Sequence, residues 1–222
     1  MCGRFTLTVD PEQLEDIFPW IHASVPFTPR YNIAPTQPVA IVPNTDIPRI
    51  DYYRWGLIPS WAKDAEIGNR LINARAETLP EKPSFRTAIR RRRCLILADG
   101  FYEWKQAADG KSKVPMYINL VSGQIFAFAG LWDIWTSPDG SEVRSCTIIT
   151  TQPNSLIEPI HNRMPVILSK DAYLEWLSPK ETNPVTYHRL WAPYPANEMQ
   201  AHEVSKAVND PRVDIPTLIL PS

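Results

Sequence analysis

Cys94-Leu-Ile-Leu-Ala98, Phe101-Tyr-Glu-Trp-Lys105, Met116-Tyr-Ile-Asn-Leu120, Ile125-Phe-Ala-Phe-Ala-Gly-Leu-Trp132 and Ser145-Cys-Thr-Ile-Ile-Thr-Thr151 follow one another along the chain. Each run is short and rich in β-branched or aromatic residues, the composition of a strand. Two of the gaps carry hairpin chemistry: Gln106–Lys113 holds Asp109-Gly110, and Ser137–Glu142 holds Asp139-Gly140. No long amphipathic segment separates them, so the order is strand after strand rather than βαβ. This predicts an α+β fold in one domain, with a curved, largely antiparallel, barrel-like sheet and peripheral helices.

Working outward, Val39–Val42, Ile50–Trp55 and Pro165–Leu168 read as further strands. Asp10-Pro11-Glu12 reads as a helix start, with Leu14, Ile17 and Phe18 at helical spacing. Pro26 to Pro38 reads as a loop, Asn154–Ile160 as a helical turn and Asp171–Leu177 as a helix. Val204–Val208 and Thr217–Leu220 are late apolar runs. There is no internal repeat and no composition break, so residues 1–222 are expected to form one unit.

Hydrophobic residues make up 44% and charged residues 21% of the chain, enough apolar matter for a core without staples. Proline is abundant at 23 and glycine scarce at 8, which favours stiff, ordered loops over flexible linkers. Neither a leader-type apolar segment nor an apolar run of membrane-spanning length is present, so a cytosolic or nucleoid setting is expected. The three cysteines, Cys2, Cys94 and Cys146, are odd in number and far apart, which argues against a disulfide framework. Without a CxxC pair, and with His22, His161, His188 and His202 widely spaced, neither a metal nor a cofactor is expected. Cys94 and Cys146 lie in apolar runs and read as core residues.

Net charge is −1, which gives no whole-molecule argument for a polyanionic partner. Between Arg54 and Lys105, however, 11 Lys and Arg face 6 Asp and Glu, with Arg90-Arg91-Arg92-Arg93 the densest run. A basic face on a neutral protein suits nucleic acid, although such a run also fits a solvated helix end.

Met1-Cys2-Gly3-Arg4 carries the sharpest chemistry. Loss of one methionine leaves a cysteine with two nucleophiles on adjacent carbons. Its amine titrates near 7.7–8.0 and its thiol near about 8.5, against about 10.4 for a lysine. The amine can form a Schiff base with an aldehyde. The thiol can then close a five-membered thiazolidine, a ring no lysine can make. Glu103 sits between Tyr102 and Trp104, where desolvation would raise its pKa and suit acid/base work; an outward-facing edge glutamate is the alternative. His161, in Pro-Ile-His-Asn-Arg-Met-Pro, suits a proton shuttle beside Arg163, and Asn73, in Asn-Ala-Arg-Ala-Glu-Thr with Arg75 and Glu77, could orient an oxygen. Each also fits a structural loop role. Trp55 and Trp61 fit either stacking on bases or the core.

In order, Met-Cys-Gly-Arg, Arg30-Tyr-Asn-Ile-Ala-Pro, Trp55-Gly-Leu-Ile-Pro-Ser-Trp61, Ile72-Asn-Ala-Arg-Ala-Glu-Thr, Ala98-Asp-Gly-Phe-Tyr-Glu-Trp, Ile160-His-Asn-Arg-Met-Pro and Val204-Ser-Lys-Ala-Val-Asn resemble the SOS response-associated peptidase (SRAP) family over nearly the whole chain. Single pieces are weak signals, but seven in this order are specific. The resemblance implies a single α+β domain that senses abasic sites in single-stranded DNA and crosslinks to them through Cys2 once Met1 is gone. It assigns Asn73 to contacts with the cysteine and the sugar, Glu103 to acid/base work and His161 to Schiff-base chemistry. It gives Arg75 and Arg163, with Arg4, to phosphates, and Trp61, Trp104, Asn32, Pro35 and Thr150 to the DNA groove. It implies a monomer that binds no membrane, and leaves room for contact with the replication machinery.

Three other readings compete. A glutamine amidohydrolase also matures to an N-terminal Cys-Gly, but this chain has no Gly-Asn-Gly element for an oxyanion hole. A non-catalytic binder of single strands would use the arginines and tryptophans alone. A general peptidase would need a base positioned for proteolysis beyond removal of Met1.

Overall fold

A computed structural model describes residues 2–9, 14, 18, 21 and 28–222. The helix expected from Asp10 lies outside the described residues, as does His22.

Among the described residues the strands are β1 (Arg4–Leu7), β2 (Arg30–Ile33), β3 (Pro38–Pro43), β4 (Asp51–Trp55), β5 (Asn73–Arg75), β6 (Arg93–Ala98) and β7 (Gly100–Gln106). They continue with β8 (Lys113–Leu120), β9 (Phe126–Thr136), β10 (Glu142–Thr151), β11 (Met164–Pro165), β12 (Ile167–Leu168) and β13 (Met199–Glu203). Strands β3, β4, β6 and β9 pair antiparallel in the order β4-β3-β6-β9. Strand β10 closes the ring, antiparallel to β9 and parallel to β4. This five-stranded barrel confirms the α+β, barrel-like reading, and closure removes the exposed edges an open sheet would present. A second, antiparallel sheet runs β13-β8-β7-β1-β2.

The two expected hairpins are present, with Gly110 at φ 64° and Gly140 at φ 87° in the loops of β7–β8 and β9–β10. Three expectations need correction. Pro26 to Pro38 is not all loop, since residues 30–33 pair with β1. The run Pro165–Leu168 is split into β11, paired with β10, and β12, paired with β9, and Val166 bridges these two neighbours: its N–H donates to the Ile149 carbonyl (2.8 Å) and its carbonyl accepts from the Ala129 N–H (2.9 Å). The helix at Asp171–Leu177 is a 3-10 turn (Lys170–Ala172) running into one α-turn (Tyr173–Trp176). The described α-helices, Ala88–Arg91 and Tyr173–Trp176, are one turn each and the 3-10 helices run to at most 8 residues, so the strands carry the architecture. At 154–160 the chain turns as expected, with Asn154 Oδ1 accepting from the N–H groups of Leu156 (3.1 Å) and Ile157 (3.0 Å).

The barrel and the second sheet share one core. Phe5 of β1 meets Trp55 of β4 edge-on at 5.1 Å and Phe128 of β9 at 5.7 Å. Each such ring contributes about 1.5–3 kcal/mol by burial. Cys94 and Cys146 are fully buried in this core. The packing matters for function because β1 begins two residues after Cys2. Phe5 therefore fixes where the start of the chain emerges.

Candidate active site

The chain enters the site at Cys2, which is fully buried. Its carbonyl accepts a 2.8 Å hydrogen bond from Asn73 Nδ2, and its Sγ lies 3.8 Å from the Arg4 carbonyl. Asn73 opens β5, which runs parallel to β10 with Asn73 opposite Ile148 and Arg75 opposite Thr150. This one bond ties the start of the second sheet to the rim of the barrel. Asn73 Oδ1 is buried and has no hydrogen-bond partner among the described residues.

Glu103 reaches the same place from β7, whose neighbour β1 pairs Arg4 with Tyr102. Its carboxyl is 2% exposed, so it is the desolvated group and not the outward-facing one. Burial pushes its pKa up to about 7, against the lowering effect of the amino-terminal charge and of the Trp104 N–H. Burial, and after it the Glu103 charge, holds the Cys2 thiol well above its ordinary value. Here the sulfur is a neutral thiol, not the reactive thiolate.

His161 is half-buried on the turn that leads to β11. Its Nδ1 lies 3.1 Å from the Arg163 N–H, which donates to it, and 3.2 Å from the Arg163 carbonyl. Burial first, and the amino-terminal charge second, hold its pKa below the usual value, so the ring is neutral at pH 7. The same amino-terminal charge acts on Cys2, Glu103 and His161.

The residues expected to hold DNA divide by exposure. Arg75 and Trp61 project outward, Trp61 at 57% exposure, while Trp55 is wholly buried and belongs to the core. Pro35 is half-buried, beside Thr36, whose φ of 73° is a strained value for a β-branched residue. Trp104 is half-buried, and its Nε1 donates to Asn209 Oδ1 at 2.8 Å. Asn209 is a site neighbour that residue chemistry did not single out, although it ends the Val204-Ser-Lys-Ala-Val-Asn motif.

Four expectations shift from contact toward support. Arg4 is half-buried and donates to the carbonyls of Val208 (2.7 Å) and Asn209 (3.4 Å) and to Asn32 Oδ1 (3.2 Å). Asn32 is fully buried, and its amide donates to the carbonyls of Val208, Asp210 and Val213 at 3.2, 3.0 and 2.7 Å. Both hold the C-terminal segment against β1 and β2. Thr150 is fully buried, and its carbonyl accepts from Arg163 Nη2 at 2.6 Å. Arg163, 6% exposed, is clamped by Glu77 through Nη1 (2.7 Å) and Nη2 (2.9 Å). Its guanidinium therefore faces a carboxylate in this state, and the Arg163 pair in turn holds the Glu77 carboxyl below its usual pKa. Only Arg75 of the three arginines assigned to phosphates lacks a side-chain hydrogen bond among the described residues.

A strand-rich α+β scaffold thus sets a buried second-residue cysteine beside an amide and a carboxyl of raised pKa at the chain's start. The SOS response associated peptidase (SRAP) profile matches residues 1–211, and the chain belongs to that family. It is 49% identical over 223 residues to the abasic site processing protein YoqW of Bacillus subtilis (strain 168), covering 99% of each chain. It is 31% identical over 198 residues to the abasic site processing protein HMCES of Rattus norvegicus, covering 76% of this chain and 56% of that one. A crystal structure of a Bacteroides thetaiotaomicron protein superposes with a TM-score of 0.89 at 28% identity, covering 100% of both chains.

Proposed function

We propose that this protein processes abasic sites in single-stranded DNA by covalent capture. The capture uses the amine and thiol of Cys2 after Met1 is removed. The observation that carries the reading is the convergence of Asn73 and Glu103 on one buried cysteine at the start of the chain, Asn73 by a hydrogen bond to its carbonyl and Glu103 by a charge that acts on its thiol. The relatives named as abasic site processing proteins support it. An abasic sugar offers an aldehyde and no base, so hydrogen-bond readout of a base edge has nothing to read. A 1,2-aminothiol recognises the aldehyde itself.

The steps follow from the residues. Hydrolysis of the Met1–Cys2 bond frees the Cys2 amine and consumes one water. The neutral amine adds to the C1′ carbonyl of the ring-opened sugar. Glu103, near its midpoint at neutral pH, takes a proton from the nitrogen and returns one to the departing hydroxyl, which leaves as water. The S–H then adds across the C=N bond: sulfur bonds to carbon and the proton ends on nitrogen. The balance for capture is loss of one water. Asn73 holds the Cys2 carbonyl, and its buried Oδ1 is the acceptor for the amine or a sugar hydroxyl. Neutral His161 serves as a second base at the sugar. Arg75 and Trp61 hold the strand by a phosphate contact and by stacking.

The test is a denaturing gel of mature protein mixed with abasic single-stranded DNA. Wild type gives a persistent adduct, and Cys2→Ala gives none that survives denaturation. Equal yields of stable adduct from both would overturn the proposal. Glutamine hydrolysis by the mature protein would instead favour the amidohydrolase reading.

A further inference from the structure

The densest basic run has not been used by the site. Its last residue, Arg93, is fully buried and donates to the carbonyls of Trp176 (3.0 Å), Arg90 (2.6 Å), Ile89 (3.3 Å), Lys180 (3.1 Å) and Ser178. Those carbonyls lie on two separate segments, the one-turn helix Ala88–Arg91 and the stretch 176–180. Thr182 N–H also donates to the Arg90 carbonyl at 3.1 Å, and Asn183 Oδ1 caps the turn that follows. A buried guanidinium is thus devoted to fastening two surface segments together.

Between these segments is a cleft of about 530 Å³, lined by Pro80, Arg86, Thr87, Arg90, Arg91 and Glu181, among others. Arg90 and Arg91 share Glu181, at 3.0 and 2.7 Å, and all three are exposed. Arg86 is exposed and makes no side-chain hydrogen bond or ion pair among the described residues. The cleft carries three positive charges against one negative. It is open, polar and rigidly walled, which excludes an apolar peptide or a buried small molecule and suits a phosphodiester backbone.

Its position fits the same partner. Pro80 on its rim is five residues after Arg75, so the two are at most about 18 Å apart. A strand held at Arg75 therefore needs no more than about five nucleotides, even at the compact duplex rise of ~3.4 Å each, to reach that rim. We propose that the Arg86–Arg90–Arg91 cleft is a second anchor, which binds the phosphates of the same DNA strand several nucleotides away from the captured lesion. The inference rests on the reading of this protein as a binder of single-stranded DNA. It adds a site that acts on affinity and reach and leaves the chemistry alone. Glu181 occupies the arginines when no strand is present and is displaced toward solvent when one binds.

The experiment compares two oligonucleotides carrying an abasic analogue without an aldehyde, so that binding is reversible. One has a single nucleotide on each side of the lesion; the other has about ten, which even at ~3.4 Å each extends past the ~18 Å limit. Wild type should bind the longer strand more tightly and with a steeper salt dependence. The Arg86→Ala/Arg90→Ala double variant should bind the longer strand about tenfold more weakly at low salt, with a slope of log K on log salt reduced by about 1.4. It should bind the short strand as wild type does, and that same measurement shows that it is folded. Glu181→Gln should tighten the longer strand alone. Cys2→Ala should keep the length effect, so a failure of the capture chemistry is distinguishable from a failure of this proposal. Equal affinity of wild type for the two lengths, or an unchanged slope in the double variant, would overturn it.

Discussion

Glu103 joins the largest physical cost in the site to its main chemical use. Its pKa of about 7 in the folded protein exceeds the usual 4.5 because burial disfavours the charged form. The folded state therefore binds the extra proton, and stability falls as pH rises from about 4.5 to about 7. Glu103→Gln removes that penalty. The variant should be more stable than wild type above pH 7, by up to about 3 kcal/mol, and the gap should close below pH 4.5. Urea unfolding at pH 4.5 and pH 8 checks it. The same variant should slow adduct formation and flatten the rate profile near pH 7. Glu77 works in the opposite sense. Its truncation leaves the nearly buried Arg163 charge facing the Thr150 carbonyl without a carboxylate. Glu77 itself is 44% exposed on its side chain, so the loss lies between the surface and buried limits, about 2 kcal/mol. Thermal melting of Glu77→Ala measures it. At this scale the desolvation expected of Glu103 is present, but Tyr102 and Trp104 are not its cause, because successive side chains of a strand point to opposite faces and these two pack with Tyr117 and Val208. The sequence was silent where the partner is far away along the chain. Nothing near Arg163 announces that Glu77, 86 residues earlier, will clamp it.

Among the elements, β7 bears the tightest constraint. A Cβ on Gly100 would lie 2.2 Å from Tyr117 Oη and 2.3 Å from its Cζ, so the ring of β8 lies flat against a bare backbone. Gly100→Ala should cost about 1–3 kcal/mol, and because Glu103 is three residues on in the same strand, it should also slow adduct formation. Differential unfolding with a capture assay tests both parts. The strands of 94–151 were legible because each is long enough for its pattern to show and each is bounded by turn residues. β1, β2, β5 and β13 escaped notice, for three physical reasons. β5 is three residues long and exists only because β10 accepts it as a parallel neighbour. β1 and β2 are four residues each, the second hidden in a proline-rich stretch. β13 carries Gln200, His202 and Glu203 and has no apolar pattern to read. The helix at 171–177 was overestimated because its apolar spacing fits a helix, while its length permits one turn.

For the whole molecule, a closed barrel supplies rigidity and a second sheet carries the chain's start to the barrel rim. Local charge excess between Arg54 and Lys105 was visible in the sequence, but its division was not. Arg93 is buried structure, Arg92 pairs with Asp133, and only Arg90 and Arg91 of the run face solvent. Binding should accordingly weaken with salt and show little sequence preference, and Arg75→Ala should reduce the slope of log K on log salt by about 0.7. The central claim is that Cys2, through both its nitrogen and its sulfur, is the point of attachment. Intact mass and peptide mapping of the adduct with an abasic oligonucleotide address it directly. The account predicts a protein lacking Met1, an adduct mass equal to protein plus DNA less one water, and attachment at Cys2. An adduct attached to any other residue, or one formed on protein that still carries Met1, would contradict it.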